Sequence, residues 1–423
     1  MTDKLVIKNK EKALLVGVIY GKLDQYKVEE HLKELELLAK TAGADVVGKI
    51  TQKLSRINPS FFIGSGKAKQ IIKQAEELGV SLIIFDDELS PAQIKNYSNL
   101  VKNIKVIDRS ALILDIFSQH AKTKEAKTQV ELAQLEYMLP RLTRAWTHLE
   151  RQMGGIGARA GAGETQIEVD RRLLRNRISK LKKELEKIDK ERETQSKNRS
   201  NEFKVALVGY TNAGKSTLMK TISGADVLIK NQLFATLDTT IRTVKLDNSH
   251  KILLSDTVGF VRKLPHHLVA SFRSTLKEVV EAELILIMLD ASSNEVNEHY
   301  NTILDVLKDL GVKRHSYLII LNKIDNENVD KKISYLKRIF PEAIFISALN
   351  KLMIDSLTEK IIEIMDENFK VVDLCFKYQE SKKLALAQEG VDVIERIYND
   401  DHVFLKIKGS RERISQIQST MIE

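Results

Sequence analysis

One stretch constrains the fold more than any other: Phe203-Lys-Val-Ala-Leu-Val-Gly-Tyr-Thr-Asn-Ala-Gly-Lys-Ser-Thr217. An apolar run reads as a buried strand, and Thr217-Leu-Met-Lys-Thr-Ile reads as the helix after it. Between them lie Gly209, Tyr210, Thr211, Asn212, Ala213, Gly214, Lys215 and Ser216, the Gly-x-x-x-x-Gly-Lys-Ser spacing of a phosphate-binding loop. Glycines let backbone N–H groups wrap the phosphates, Lys215 reaches the outer ones, and the Ser216 hydroxyl suits Mg²⁺. Gly-rich turns also serve as plain strand-to-helix connections, but a flanking strand and helix together favour the phosphate reading.

At 423 residues the chain exceeds one ordinary core, so several domains are expected. A single cysteine, Cys375, rules out an internal disulfide and a Cys-rich zinc site. The N-terminal residues lack the apolar core of a signal peptide, and no apolar run is long enough to span a membrane. The simplest compartment is the cytosol, with peripheral membrane association left open.

Residues 1–122 alternate apolar runs with amphipathic stretches, which argues for an α/β domain with a largely parallel sheet. Strands are expected at 13–20, 44–50, 60–63 and 81–85, and helices at 28–42 and 67–78. Gly64-Ser-Gly66-Lys67 lacks the full phosphate-loop spacing, so a tight structural turn is favoured over a second phosphate site. Over residues 123–198 the period changes. Leu132, Leu135, Leu139, Leu142, Trp146 and Leu149 recur at steps of three and four, as do Ile167, Leu174, Ile178, Leu181, Leu185 and Ile188. That is a coiled-coil seam, so two long helices should pair antiparallel, the first kinked or divided at Pro140 and the second opened by a Thr165–Glu168 capping box. Residues 199–370 hold the phosphate loop, and residues 371–423 read as a small α/β appendage. The expected fold class is therefore α/β throughout, with a doubly wound central sheet and a helical hairpin beside the N-terminal domain.

The hairpin tip is Gly154-Gly155-Ile-Gly157-Ala-Arg159-Ala-Gly161-Ala-Gly163, with Arg151 just before it. Helix precedes it where a dinucleotide fingerprint needs a strand. Residues 141–200 hold 16 Lys+Arg and 9 Asp+Glu, so +7 of the chain's net +9 sits here. Part of that excess suits a solvated helix face, but the clustering favours a polyanionic partner, with these glycines and arginines as an RNA-binding tip.

A phosphate loop alone does not separate ATP from GTP. The decisive segment is Ser316-Tyr-Leu-Ile-Ile-Leu-Asn322-Lys323-Ile324-Asp325, a buried strand delivering Asn-Lys-x-Asp at its C-terminal end. The Asp325 carboxylate can accept hydrogen bonds from guanine N1–H and the 2-amino group. Adenine lacks both donors, at a cost of about 1–3 kcal/mol or more. Lys323 can lie over the base, Asn322 can brace the loops, and Ser347, Ala348 and Leu349 follow another strand toward the guanine. Ile252-Leu-Leu-Ser-Asp256-Thr257-Val258-Gly259 ends in Asp-x-x-Gly, with Asp256 facing Mg²⁺ through water and the Gly259 N–H facing the γ-phosphate. Upstream, Leu233-Phe234-Ala235-Thr236-Leu237-Asp238-Thr239-Thr240 offers three threonines as second Mg²⁺ ligand, and spacing does not choose among them. The run 264–281 should belong to the second switch. Phe260 stands where many such GTPases carry the water-orienting glutamine, so hydrolysis by the chain alone should be slow. Arg242, Arg262 and Arg273 are unranked candidates for stabilising transition-state charge. The Asn212 carbonyl is a candidate ligand for a monovalent cation such as K⁺.

These motifs resemble those of HflX, a translation-associated bacterial GTPase family. The resemblance rests on residues 209–216, Phe234-Ala-Thr-Leu-Asp238 and Asp256-Thr-Val-Gly-Phe260. Outside them it rests on Phe85-Asp-Asp-Glu-Leu-Ser-Pro-Ala-Gln93, Val106-Ile-Asp-Arg-Ser-Ala-Leu-Ile-Leu-Asp115, Gln129-Val-Glu-Leu-Ala-Gln134 and Gly163-Glu-Thr-Gln166. It implies Thr236 as the Mg²⁺ threonine, with Lys215, Thr236 and Gly259 meeting the γ-phosphate. It also implies binding to the large (50S) ribosomal subunit and its rRNA, and splitting or rescue of stalled ribosomes under stress. In some members it implies ATP use by the N-terminal domain. Thr239, where proline is common, and a tip without proline depart from the pattern. A monomer is expected. Two other readings are a GTPase of ribosome assembly or RNA modification, and a regulatory switch at a protein or membrane surface. Scarce hairpin aromatics and no long apolar face weigh against lipid.

Overall fold

The computed structural model describes residues 11–142, 166–197, 202–224, 233–234, 237–263, 276–312, 316–389, 391–399 and 401–422. The chain forms two compact units. One comprises Met1–Ile188, Lys230–Asp238 and Val258–Leu276; the other comprises Asp189–Ile229, Thr239–Thr257 and Lys277–Glu423.

In the first unit, strands β1 (Lys12–Ile19), β2 (Asp45–Lys53), β3 (Leu82–Phe85) and β4 (Lys105–Asp108) form a parallel sheet in the order β2-β1-β3-β4. β1 is buried along nearly its whole length because helices cover both of its faces. Leu14, Val16 and Val18 pack with Ile71 and Ala75 of helix Ser65–Glu77 and with Tyr97 of helix Pro91–Leu100. On the other face Gly17 admits Val28 and Leu32 of helix Gln25–Thr41, leaving no room for a Cβ. Asp24 caps that helix through the Lys27 N–H, and Ser90 with Gln93 forms a capping box on the helix that opens at Pro91.

The expected strand at 60–63 is instead a turn with one isolated bridge between Asn58 and Phe62. The Asn58 side chain accepts from the Ser60 and Phe61 N–H groups, and Phe62 and Gly64 take positive φ. Asx-turn geometry therefore overrides the strand propensity of Phe-Phe-Ile. Gly64 leads directly into helix Ser65–Glu77.

Helix Lys124–Met138 ends in a 3₁₀ turn, Leu139–Arg141, where Pro140 removes a backbone donor. Helix Gln166–Lys197 lies against it through Leu132, Leu135, Leu142, Leu174 and Leu181. Ion pairs Lys124–Glu184 and Arg177–Glu131 run in opposite chain directions, fixing the antiparallel sense. Trp146, Leu149, Thr165 and the whole tip (Arg151, Gly154, Gly155, Gly157, Arg159, Gly161, Gly163) lie outside the described residues. At the root of the pair the buried Asp108 carboxylate accepts from Tyr137 Oη at 2.9 Å and from the Leu89 and Ala111 N–H groups. The Arg141 guanidinium stacks 3.7 Å above the Tyr137 ring.

In the second unit, β5 (Phe203–Gly209), β6 (Thr240–Lys245), β7 (Lys251–Asp256), β8 (Leu284–Asp290), β9 (Ser316–Asn322) and β10 (Ile344–Phe345) form a sheet ordered β10-β9-β8-β5-β7-β6. Only β6 runs antiparallel. A separate antiparallel sheet, β11 (Phe369–Lys377), β13 (His402–Ser410) and β12 (Asp392–Tyr398), closes over Ile414 and Ile417 of helix Arg411–Ile422. Among the described residues no helix is long and apolar enough to cross a membrane.

Candidate nucleotide site

The C-terminal ends of parallel strands β5, β7, β8 and β9 lie along one edge of the second sheet, where an α/β layer receives ligands. β5 runs into Gly209 and the loop, and helix Lys215–Ser223 begins at its end. Gly209 must be glycine because a Cβ would collide with the Met288 carbonyl. Gly214, at φ +100°, would set a Cβ against the Asn322 amide and take a conformation that favours glycine. Asn212 also adopts positive φ and is exposed.

Lys215 is buried, and its ammonium donates to the carbonyls of Gly209 at 3.0 Å and Tyr210 at 3.1 Å. Burial lowers its pKa to about 8, with Asp256 acting in the opposite direction. The Thr211 Oγ1 is buried in the loop with no hydrogen-bond partner among the described residues. Ser216 Oγ donates to Asp256 Oδ2 at 2.7 Å, bringing a hydroxyl from the helix start together with a carboxylate from the end of β7. Two adjacent hard oxygen donors are the set that Mg²⁺ selects, so these residues fit that ion. Thr257 Oγ1 donates to the Leu207 carbonyl at 2.6 Å and pins the end of β7 to β5.

Asn322 joins the loops. Its Nδ2 donates to the Ala213 carbonyl at 2.8 Å, and its Oδ1 accepts from the Ala348 N–H at 2.9 Å. Lys323 takes positive φ, and its ammonium meets Asp290 Oδ2 at 2.7 Å. Ile324 N–H donates to the Ile346 carbonyl, and Asp325 stands exposed one residue on. Ser347 is buried, Leu349 is exposed, and Thr221 Oγ1 ties the loop's helix to the Ala348 carbonyl. Sequence reasoning missed the stack of Tyr210 on His299, 3.8 Å between ring centroids and 15° between planes, because no local spacing links residues 89 apart. Of the arginine candidates, Arg242 lies on β6 with its Nε buried, and Arg273 lies outside the described residues.

The two segments expected to sense the γ-phosphate belong largely to the first unit. Phe234 packs edge-on against Phe117, Leu237 is buried, and Asp238 accepts from Thr123 Oγ1 and the Lys122 N–H. Ala235 and Thr236 lie outside the described residues. Val258 and Phe260 are buried, Phe260 to 1% exposure, with Gly259 between them, and Arg262 and Lys263 follow. Most of 264–281 is outside the described residues; within it helix Lys277–Val280 is seen.

A phosphate loop, a serine–aspartate pair and an Asn-Lys-x-Asp strand end on one sheet edge define the class of P-loop GTPases. Family models agree along the chain: "GTP-binding GTPase N-terminal" over residues 29–118, "GTP-binding GTPase Middle Region" over 120–199 and "50S ribosome-binding GTPase" over 204–323. The chain is 46% identical over 388 residues to GTPase HflX of Flavobacterium psychrophilum, covering 87% of this chain and 93% of the relative. It is 44% identical over 356 residues to GTPase HflX of Escherichia coli K12, covering 84% and 82%. It belongs to the HflX family of GTPases. A solved GTP-binding protein from Sulfolobus solfataricus, in complex with GDP, is 27% identical with a TM-score of 0.44, covering 84% of this chain and 99% of that one.

Proposed function

We propose that the chain hydrolyses GTP slowly when alone and faster on the large ribosomal subunit, and that this cycle serves to split or rescue stalled 70S ribosomes. The observation that carries the nucleotide half is Asn322, whose side chain links the phosphate loop to the segment 347–349 beside Asp325. In this reading Asp325 accepts from the guanine edge, Lys323 flanks the base, and residues 347–349 close over it. Lys215 moves its ammonium from the loop carbonyls to the outer phosphates. Ser216 and Thr236 hydroxyls, with Asp256 through water, would hold Mg²⁺, which neutralises charge developing on the phosphates. The Gly259 N–H faces the γ-phosphate, and the Asn212 carbonyl is the candidate K⁺ ligand. Phe260 offers no group to orient water, which is why a partner is required.

The ribosomal half is supported by family membership, by the "50S ribosome-binding GTPase" description over 204–323 and by the +7 charge of residues 141–200. Light scattering of 70S particles tests it. Addition of the protein with a non-hydrolysable GTP analogue should lower scattering as subunits part, and GDP should not. Unchanged scattering with both nucleotides would remove splitting and leave ribosome assembly as the better reading.

Lys215 also sets a pH dependence. In the free protein its pKa is about 8, and bound phosphates favour the ammonium, so the complex holds more protons above that pH. Affinity for GDP is therefore full below pH 8 and falls as pH rises through it, by up to about tenfold per unit. Fluorescence titration between pH 7 and 9 measures this, and a flat Kd would contradict it.

A further inference from the structure

The Thr211 hydroxyl has no evident structural duty in the phosphate loop. The residue is 7% exposed, and its Oγ1 is buried without a hydrogen bond among the described residues. A threonine in a turn ordinarily bonds a backbone group a few residues away, and a buried hydroxyl left unpaired costs free energy. Native structures hold few such groups, and those they hold commonly serve a site. A hydroxyl kept in this condition inside a phosphate loop suits a ligand that brings the missing acceptor.

Two contacts show which part of that ligand it meets. The Asn322 amide, from the Asn-Lys-x-Asp end of β9, donates to the Ala213 carbonyl at 2.8 Å and marks the base end of the loop. The Lys215 ammonium donates to the Gly209 and Tyr210 carbonyls and marks the other end, since this is the cation that reaches the outer phosphates. Thr211 follows Tyr210 directly, so it stands at the outer-phosphate end. Its neighbours are otherwise engaged: the Tyr210 ring stacks on His299, Ser216 Oγ donates to Asp256, and Asn212 is exposed. Phe260 supplies no polar group, so a donor for the γ-phosphate has to come from elsewhere.

We propose that the Thr211 side chain is a catalytic residue, its hydroxyl donating a hydrogen bond to a γ-phosphate oxygen during hydrolysis. The inference rests on the GTPase reading above and deepens it. Water forms a bond to the γ-phosphorus as the bond to the β–γ bridging oxygen breaks; the charge of that bond stays on GDP, and the proton of the water passes to the released phosphate. The Thr211 hydroxyl keeps its own proton throughout and stabilises the γ-phosphate oxygens, a role that a buried donor fills without reorganising. One neutral donor is weaker than a guanidinium, in keeping with slow hydrolysis by the chain alone.

Single-turnover hydrolysis by the full chain tests it, using Thr211→Val and Thr211→Ser, with GDP affinity and the melting temperature of the free protein measured beside each rate. Valine keeps the branched shape and removes only the hydroxyl. Its rate should fall at least about tenfold, with GDP affinity within about twofold of the parent. Its melting temperature should equal or exceed the parent's, because the lost hydroxyl pairs with no described residue. Thr211→Ser should keep most of the parental rate. A parental or raised rate in Thr211→Val overturns the proposal, and so does an equal loss in Thr211→Ser. A lowered melting temperature in Thr211→Val marks a structural hydroxyl, and GDP affinity falling in step with rate moves the contact off the γ-phosphate; either result also overturns it. If the parent chain turns over no GTP, the GTPase reading fails and the proposal falls with it. Parental turnover with an indifferent Thr211→Val sinks the proposal alone.

Discussion

Asparagine in place of Asp325 is expected to weaken GDP and GTP binding by roughly 10²–10³-fold and to create a site for xanthine nucleotides. A carboxylate there accepts from both guanine N1–H and the 2-amino group. The amide keeps one acceptor but turns N–H toward a donor, so one charge-assisted bond is lost and one group is left unpaired, about 3–4 kcal/mol together. Xanthine carries an oxygen in place of the 2-amino group, so it presents one donor and one acceptor, which is what the amide matches. Asp325 is exposed at the end of β9 while its neighbours Asn322 and Ile324 are held by hydrogen bonds, so the change should leave the fold intact. Parallel titrations with GDP and XDP measure the exchange of preference. Equal losses for both nucleotides would mean that Asp325 does not read the base.

The second large effect concerns the hairpin tip. Arg151→Glu with Arg159→Glu should reduce apparent affinity for the large subunit by roughly 10²-fold, since two cations proposed to pair with rRNA phosphates would become repelling anions. Hydrolysis by the chain alone should stay at its parental rate, because neither residue is among those proposed for the nucleotide site. Co-sedimentation over a salt series reads the first effect, and the dependence on salt should flatten as two phosphate contacts disappear. Unchanged binding at all salt concentrations would remove the tip from the interface.

What was legible beforehand follows from distance along the chain. The phosphate loop and Asn-Lys-x-Asp are contiguous motifs whose spacing carries their chemistry, and β5 and β9 deliver both to one sheet edge. The leucine seam was legible because its period is local, and Leu132, Leu135, Leu174 and Leu181 meet as that period requires. The segment 60–63 reads as a strand from its three apolar residues, whereas Asn58 and the positive φ of Phe62 and Gly64 set a turn. Lys263 lies 177 residues from Asp86, and Tyr210 lies 89 from His299, so no spacing rule pairs them. Such contacts arise from tertiary packing, and only the diagnostic character of residues 85–93 and 106–115 hinted that they held something.

In the proposed function the nucleotide site binds GTP unaided and depends on the large subunit for its rate. GTP turnover should be measured for the chain alone, with purified 50S subunits, with naked RNA and with anionic vesicles. Strong stimulation by 50S subunits, with little from RNA or vesicles, is the predicted result; stimulation by vesicles alone, or a fast rate unaffected by any addition, would contradict the account.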